Sequence, residues 1–231
     1  MIDAQADELA PEIDGSSLAL SELQVEPGAT FTVGDSERDS LLFVFAGSGS
    51  LTLDNRSSPL AAGSAALVLA GEEARLEVDD AELGVICASV GSESDRHAPI
   101  GAREIVAALD HADSQKATGA RSFQILFGPH NGSTRATLFA GFIPPGKAPW
   151  HYHLYDEIVW VPEGPGRLHT GETTEELGFG STFRLRPRQV HIVENLSTSA
   201  EMTVIGIFTP AGSPSAAYLT PDVAAKYRFT G

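Results

Sequence analysis

The chain repeats itself. At an offset of 117 residues, Gly47 and Gly49 of FVFAGSGSLTLD fall on Gly164 and Gly166 of VWVPEGPGRLHT, Leu60 falls on Leu177, and Gly63 falls on Gly180, with no gap across the middle. Single turn glycines coincide by chance; several in one register, with equal loop lengths and apolar flanks, mark a duplication. A chain of 231 residues can form one large domain or two small ones, and the repeat favours two.

Short apolar runs such as LLFVF and AALVLA alternate with Gly- and Pro-containing clusters, the pattern of strands and turns, so each copy is expected to be all-β. Strand-like sequence runs from about Leu18 to Val90, stops, and resumes at Phe123 through ATLFAGFI, EIVWV, GRLHT, STFRLRP and EMTVIGIF. The expected organisation is an acidic amino-terminal arm over 1–15, mobile or loosely docked, and a first β domain over 16–92. A linker over 93–122 follows, with AREIVAALD as its helical candidate, then a second β domain over 123–231.

A formal charge of −16 opposes a nucleic-acid surface, which needs clustered Lys and Arg. The acidity of DAQADELAPEID and GEEARLEVDDAEL reads as a solubilising surface. Cys87 has no partner for an internal disulfide, and LGVICASV reads as a buried strand in which a thiol acts as a small hydrophobe. No apolar run approaches the ~18 residues of a membrane span, and the amino terminus lacks the pattern of a signal peptide, so a cytoplasmic location is expected.

The repeat also exposes a difference between the copies. His151, His153, Glu157 and His191 correspond to Gly34, Ser36, Ser40 and Ala74, so four polar side chains are absent together from the first copy. Independent surface residues give no reason for joint absence; four ligands of one ion do. On a strand, residues two apart share a face, so His151 and His153 in WHYHLYDE point the same way, and Glu157 has the same parity beyond a kink at LYD. His191 follows the strand STFRLR, which a hairpin can bring alongside. Three imidazoles and one carboxylate suit one divalent ion of Fe, Mn, Ni, Co, Cu or Zn, and an octahedral ion held this way keeps two open positions. A structural zinc site would be closed and cysteine-rich.

The stretch GKAPWHYHLYDEIVWVPEG resembles the first cupin motif, with Gly146, His151, His153, Glu157 and Gly164 in place and the leading spacer one residue short. The stretch GSTFRLRPRQVHIVEN is similar to the second motif, with Gly180, His191 and Asn195 in place. Arg186 and Arg188 stand where the family shows P-x-G, a departure expected to alter a turn. The resemblance implies a bicupin: two tandem jelly-roll-type β-barrels with a short helix in the linker, the first degenerate at its metal site. It implies the ligands His151, His153, Glu157 and His191, a small-molecule substrate and a homodimer. Within that family the expectation leans to a dioxygenase, a metal-dependent oxidoreductase. The alternatives are an oxygen-independent lyase, isomerase, decarboxylase or aminohydrolase, and a non-enzymatic ligand-binding bicupin. His191 counts against the aminohydrolase version, whose relatives usually carry glutamine there.

Other residues read more plainly. His169 is expected to be structural or exposed, and His97, His111 and His130 lie in linker or turn sequence. Trp150, Tyr152, Tyr155 and Trp160 are expected mostly in core or contact roles, with a pocket wall as the alternative. Arg184 and Arg186 are expected in exposed or interface salt bridges, and Asn195 in support of a turn. The tail FTPAGSPSAAYL crosses a barrel mouth or docks on the other half; the sequence leaves both open.

Overall fold

A computed structural model describes residues 5–117, 120–171 and 173–219. The regular structure of the described residues is almost entirely antiparallel strand. The first copy contains β1 (Gln5–Ala10), β2 (Leu18–Val25), β3 (Thr30–Val33), β4 (Asp39–Ala46), β5 (Ser48–Leu53), β6 (Arg56–Ala61), β7 (Ser64–Val68), β8 (Ala74–Val78), β9 (Leu83–Val90) and β10 (Val106–Ala108). The second contains β11 (Gln115–Lys116), β12 (Ser122–Phe127), β13 (Thr137–Ile143), β14 (Gly146–Lys147), β15 (His151–His153), β16 (Asp156–Trp160), β17 (Gly166–Thr170), β18 (Thr174–Leu177), β19 (Thr182–Leu185), β20 (His191–Asn195), β21 (Met202–Thr209) and β22 (Ala217–Leu219).

The duplication is visible in the pairing. One six-stranded sheet has the order β1-β2-β9-β4-β7-β10, and its counterpart runs β11-β12-β13-β21-β16-β19, so five consecutive positions correspond. The facing sheets are β3-β8-β5-β6 and β18-β17-β20-β15-β22, the latter with β14 added beside β20. Each copy is therefore a two-sheet jelly roll. The first core lies between its sheets, with Leu42, Ala66 and Val85 from one and Leu51, Leu60 and Leu76 from the other. The second repeats this with Val159, Leu185 and Val204 against Leu168, Leu177 and Val193.

Two of the repeated glycines are explained by backbone geometry. Gly63 and Gly180 both lie in the left-handed region, at φ of 91° and 77°, which glycine adopts without steric cost. At Gly49 and Gly166, an added Cβ would come 2.3 Å from the carbonyl oxygen of Glu77 and 3.1 Å from that of Glu194, and these two carbonyls are themselves one repeat apart. The same close approach of neighbouring strands recurs in both copies.

The described residues form two compact units, one of residues 5–110, 126–138 and 207–212, the other of residues 111–117, 120–125, 139–171, 173–206 and 213–219. Two local expectations change. Instead of a mobile or loosely docked arm, Gln5–Ala10 is an edge strand antiparallel to β2. AREIVAALD is not helical: Val106–Ala108 pairs with Ser64–Ala66, and the only helical turn among the described linker residues is a 3₁₀ turn at His111–Asp113. No helix of the described residues is long and apolar enough to cross a membrane.

Candidate metal centre

Three strands and one bend bring the expected side chains together. His151 and His153 face inward from β15, with Tyr152 between them turned toward solvent and stacked on Tyr218 at 5.4 Å. The chain bends at Leu154 and Tyr155 and enters β16, where Glu157 is buried opposite Leu185 of β19. His191 opens β20 directly across from His151. The His191 ring lies 4.4 Å from that of His151 and 5.0 Å from that of His153, centroid to centroid. All four side chains are buried and line one cavity of about 90 Å³.

The tautomers follow from the outer hydrogen bonds. His151 Nδ1 donates to the Pro149 carbonyl at 2.8 Å, His153 Nδ1 to that of Tyr155 at 3.1 Å, and His191 Nδ1 to that of Gln189 at 2.8 Å. Each Nε2 is then an acceptor lone pair on the cavity side, the form in which histidine ligates a metal. Burial favours that neutral form. It pushes His151 down to about 4, with the charge of Arg121 adding to the effect, and His191 down to about 3, with His151 as the next cause.

At the centre of the cluster His153 and Glu157 meet. His153 Nε2 lies 2.8 Å from Glu157 Oε2 and is buried without a hydrogen-bond partner. The distance is that of an ion pair, which a doubly protonated imidazole forms here, whereas the neutral tautomer that bonds the Tyr155 carbonyl presents a lone pair to the carboxylate. A lone pair against an anionic oxygen is unfavourable unless a cation sits between or beside them. The donor set therefore fits a divalent ion. Among the described residues no three His, Cys, Asp or Glu side chains are already spaced around an ion.

Residues around the cluster hold it in shape. Tyr155 stacks on His153 with ring centroids 4.1 Å apart and donates its hydroxyl to the Pro214 carbonyl at 3.5 Å. Burial, and after it the charge of Glu157, pushes its phenol well above the ordinary range. Gly206 on β21 makes room for the carboxylate: a Cβ there would lie 2.7 Å from Glu157 Oε1 and 2.3 Å from the Phe139 ring. Asn195 donates to the Ile143 and Ala200 carbonyls and accepts from Ser197 N, each at 2.8 Å, closing the turn after β20 as expected of a supporting residue.

The turn before His191 keeps a glycine-like shape without glycine. Arg188 lies at φ 67°, in the left-handed region, and its backbone N donates to the His153 carbonyl at 2.7 Å. The departure from P-x-G thus leaves a strained residue in the turn rather than a different anchoring of His153.

The remaining candidates lie elsewhere. His169 bonds Glu194 at 2.7 Å and Thr174 at 3.1 Å, and His111 pairs with Glu201 at 2.7 Å; neither lines the cavity. Trp160 is fully buried core, and Tyr155 is the one aromatic of its group on the cavity wall. Arg184 is half-buried 3.4 Å from Asp156, and Arg186 is exposed. The tail is settled locally: β22 pairs with β15, and Pro214, Ser215 and Ala217 line the cavity. Sequence reasoning missed Arg121, which also lines it, with Nη1 3.5 Å from His151 Nε2. An arginine in KATGARS carries no pattern that marks it.

Residues 140–208 match the cupin domain family. No curated protein matches the chain by sequence. The fold is shared with a mutant of Bacillus subtilis oxalate decarboxylase at a TM-score of 0.74, with 13% identity, covering 94% of this chain and 75% of that one. It is also shared with the formate complex of Lactobacillus farciminis oxalate decarboxylase (TM-score 0.73, 12% identity, 98% and 87% covered). AerE from Microcystis aeruginosa matches at a TM-score of 0.69 and 14% identity over 88% of this chain and 98% of that one.

Proposed function

We propose that the second barrel is a metal-dependent enzyme site acting on a small organic acid, because residues 140–208 match the cupin domain family and the chain shares its fold with two oxalate decarboxylases. In this reading His151, His153, Glu157 and His191 hold one divalent transition metal ion. The observation that carries it is the convergence on one cavity of three buried imidazoles, each bonded through Nδ1 to a backbone carbonyl, with the buried Glu157 carboxylate. The ion, when bound, acts as a Lewis acid that withdraws electrons from a substrate oxygen.

The protein's own groups define the rest. The three carbonyl-anchored imidazoles fix the donors before any ligand arrives, which limits reorganisation. Glu157 offsets one positive charge and is positioned to accept a proton if it leaves the ion. Burial and the apolar wall exclude bulk water and strengthen every charge interaction inside.

The sequence leaned toward dioxygenase chemistry. Two of the solved structures that share this fold are oxalate decarboxylases, and the Bacillus subtilis one carries Mn(II) centres. We therefore prefer an oxygen-independent reaction of the lyase, decarboxylase or isomerase type. Metal-loaded protein assayed on a panel of small carboxylates should turn over equally with and without dioxygen. Turnover that stops under anaerobic conditions and consumes one dioxygen per product overturns this preference in favour of the dioxygenase.

A further inference from the structure

The four side chains assigned to the ion are nearly closed off from solvent: His151, His153, Glu157 and His191 are 6%, 2%, 5% and 3% exposed. With each Nδ1 turned to a backbone carbonyl, a ligand has to reach the three imidazoles from the cavity side. Part of the wall must therefore move before anything larger than water can enter. Phe123, Ile143, Val159, Val193 and Val204 cannot move cheaply, because each is buried and lies on a strand with a neighbour on both sides.

The stretch 213–219 closes the cavity in a different way. It contributes Pro214, Ser215 and Ala217 to the wall and ends in β22, which pairs with β15 through three residues: Leu219 with His151, Tyr218 with Tyr152 and Ala217 with His153. β22 stands at the edge of its sheet, so β15 is its one neighbouring strand. None of the described side chains of this stretch belongs to the buried core, and Tyr218 is 47% exposed. Its turn is bonded within itself, Ala216 N to the Ser213 carbonyl at 3.0 Å and Ala217 N to that of Ser215 at 2.8 Å, and so can be displaced as a unit. Just upstream, Thr137 Oγ1 donates to the Gly212 carbonyl at 2.9 Å and accepts from Gly212 N at 3.0 Å, which gives the stretch a fixed root. A segment with so few buried apolar contacts opens at a small fraction of the free energy of global unfolding. The Tyr218 ring stacks on that of Tyr152 at 5.4 Å, outside the cavity, and holds β22 to β15 without touching the ligands.

We propose that residues 213–219 are the gate of this cavity. β22 lifts from β15 about the root at Gly212, uncovers the strand that carries His151 and His153, and closes again over whatever has entered, with the Tyr152–Tyr218 stack as its latch. An aromatic pair of this kind shifts the ratio of closed to open forms by roughly two- to twelvefold. The gate concerns entry to the cavity and is independent of which ion or reaction the cavity serves.

The test is the rate at which diethyl pyrocarbonate, a reagent far larger than water, modifies His151, His153 and His191 in the chelator-treated full chain, read residue by residue by mass spectrometry. The exposed His97 and His130 calibrate the reagent in the same sample. Tyr218→Ala removes the latch and should speed modification of the three cavity histidines roughly two- to twelvefold. Tyr152→Cys combined with Tyr218→Cys places two thiols on directly paired residues of antiparallel strands, within reach of a disulfide. The oxidised form of that double variant should be modified about tenfold or more slowly than its own reduced form, because only larger openings then admit the reagent. An unchanged rate in Tyr218→Ala, or equal rates in the oxidised and reduced double variant, overturns the gate. Tyr218→Ala alone decides the matter if the double variant fails to fold or to oxidise. Uptake of Mn(II) by wild type, measured on the same preparation, reads the metal centre separately. A gated chain that takes up no ion keeps the gate and loses the metal centre; a chain that takes up the ion with no gating does the reverse.

Discussion

Replacing Arg188 by glycine should stabilise the protein, although it removes a whole side chain. Arg188 is exposed and held at φ 67° in the turn that leads to His191. An L-residue in the left-handed region costs roughly 1–2 kcal/mol, which glycine does not incur. Glycine's greater freedom in the unfolded chain returns about 0.5–1 kcal/mol of that. The balance leaves roughly 0.5–1 kcal/mol in favour of Arg188→Gly, which for a chain of this length is about 1–4 °C in Tm. The bond from residue 188 to the His153 carbonyl survives because it is made by backbone N. A control is built into the first copy, where Asn55 lies at φ 60° in the two-residue turn between β5 and β6. Asparagine tolerates this conformation, so Asn55→Gly should change stability by only a few tenths of a kcal/mol. Thermal and urea unfolding followed by circular dichroism measure both. A lower midpoint for Arg188→Gly, or an equal gain at Asn55, refutes the reasoning.

Gly206→Ala should do the opposite, since its Cβ would press on the Phe139 ring and on Glu157 Oε1. Overpacking of this kind costs about 1–3 kcal/mol, and displacement of the carboxylate should lower metal affinity as well; denaturant titration and metal titration read the two effects. Cys87, partly exposed by surface area yet packed against the first core, has its thiol pushed up to about 11 by burial. Its thiolate fraction at pH 8 is then about a hundredfold below that of an ordinary cysteine. Labelling by a disulfide reagent should be correspondingly slow in the folded protein, rise about tenfold per pH unit below pH 11, and become fast in denaturant. Rapid labelling at pH 8 would contradict the burial.

The sequence made some features readable because they follow the two-residue period of a strand. His151 and His153 share a face for that reason, and Glu157 keeps their parity through the bend at Leu154 and Tyr155. His191 was legible only through the repeat and the second motif, because its pairing with His151 spans forty residues of chain. Features set by tertiary contact were not readable. Val106–Ala108 has the composition of a helix, but its register against β7 decides its conformation. The acidic residues of β1 resemble a free arm because an edge strand can carry charge along its length. Arg121 and Gly206 gained their meaning only from what stands across the cavity: His151 for one, Phe139 and Glu157 for the other.

The central claim is that His151, His153, Glu157 and His191 share one cation, and elemental analysis of the purified chain expressed without added metal tests it most directly. Wild type should carry close to one divalent transition ion per chain, and His151→Ala and His191→Ala should lose most of it while keeping the β circular-dichroism spectrum. Metal content in both variants equal to that of wild type, or a wild-type chain that takes up no ion when one is offered, would contradict it.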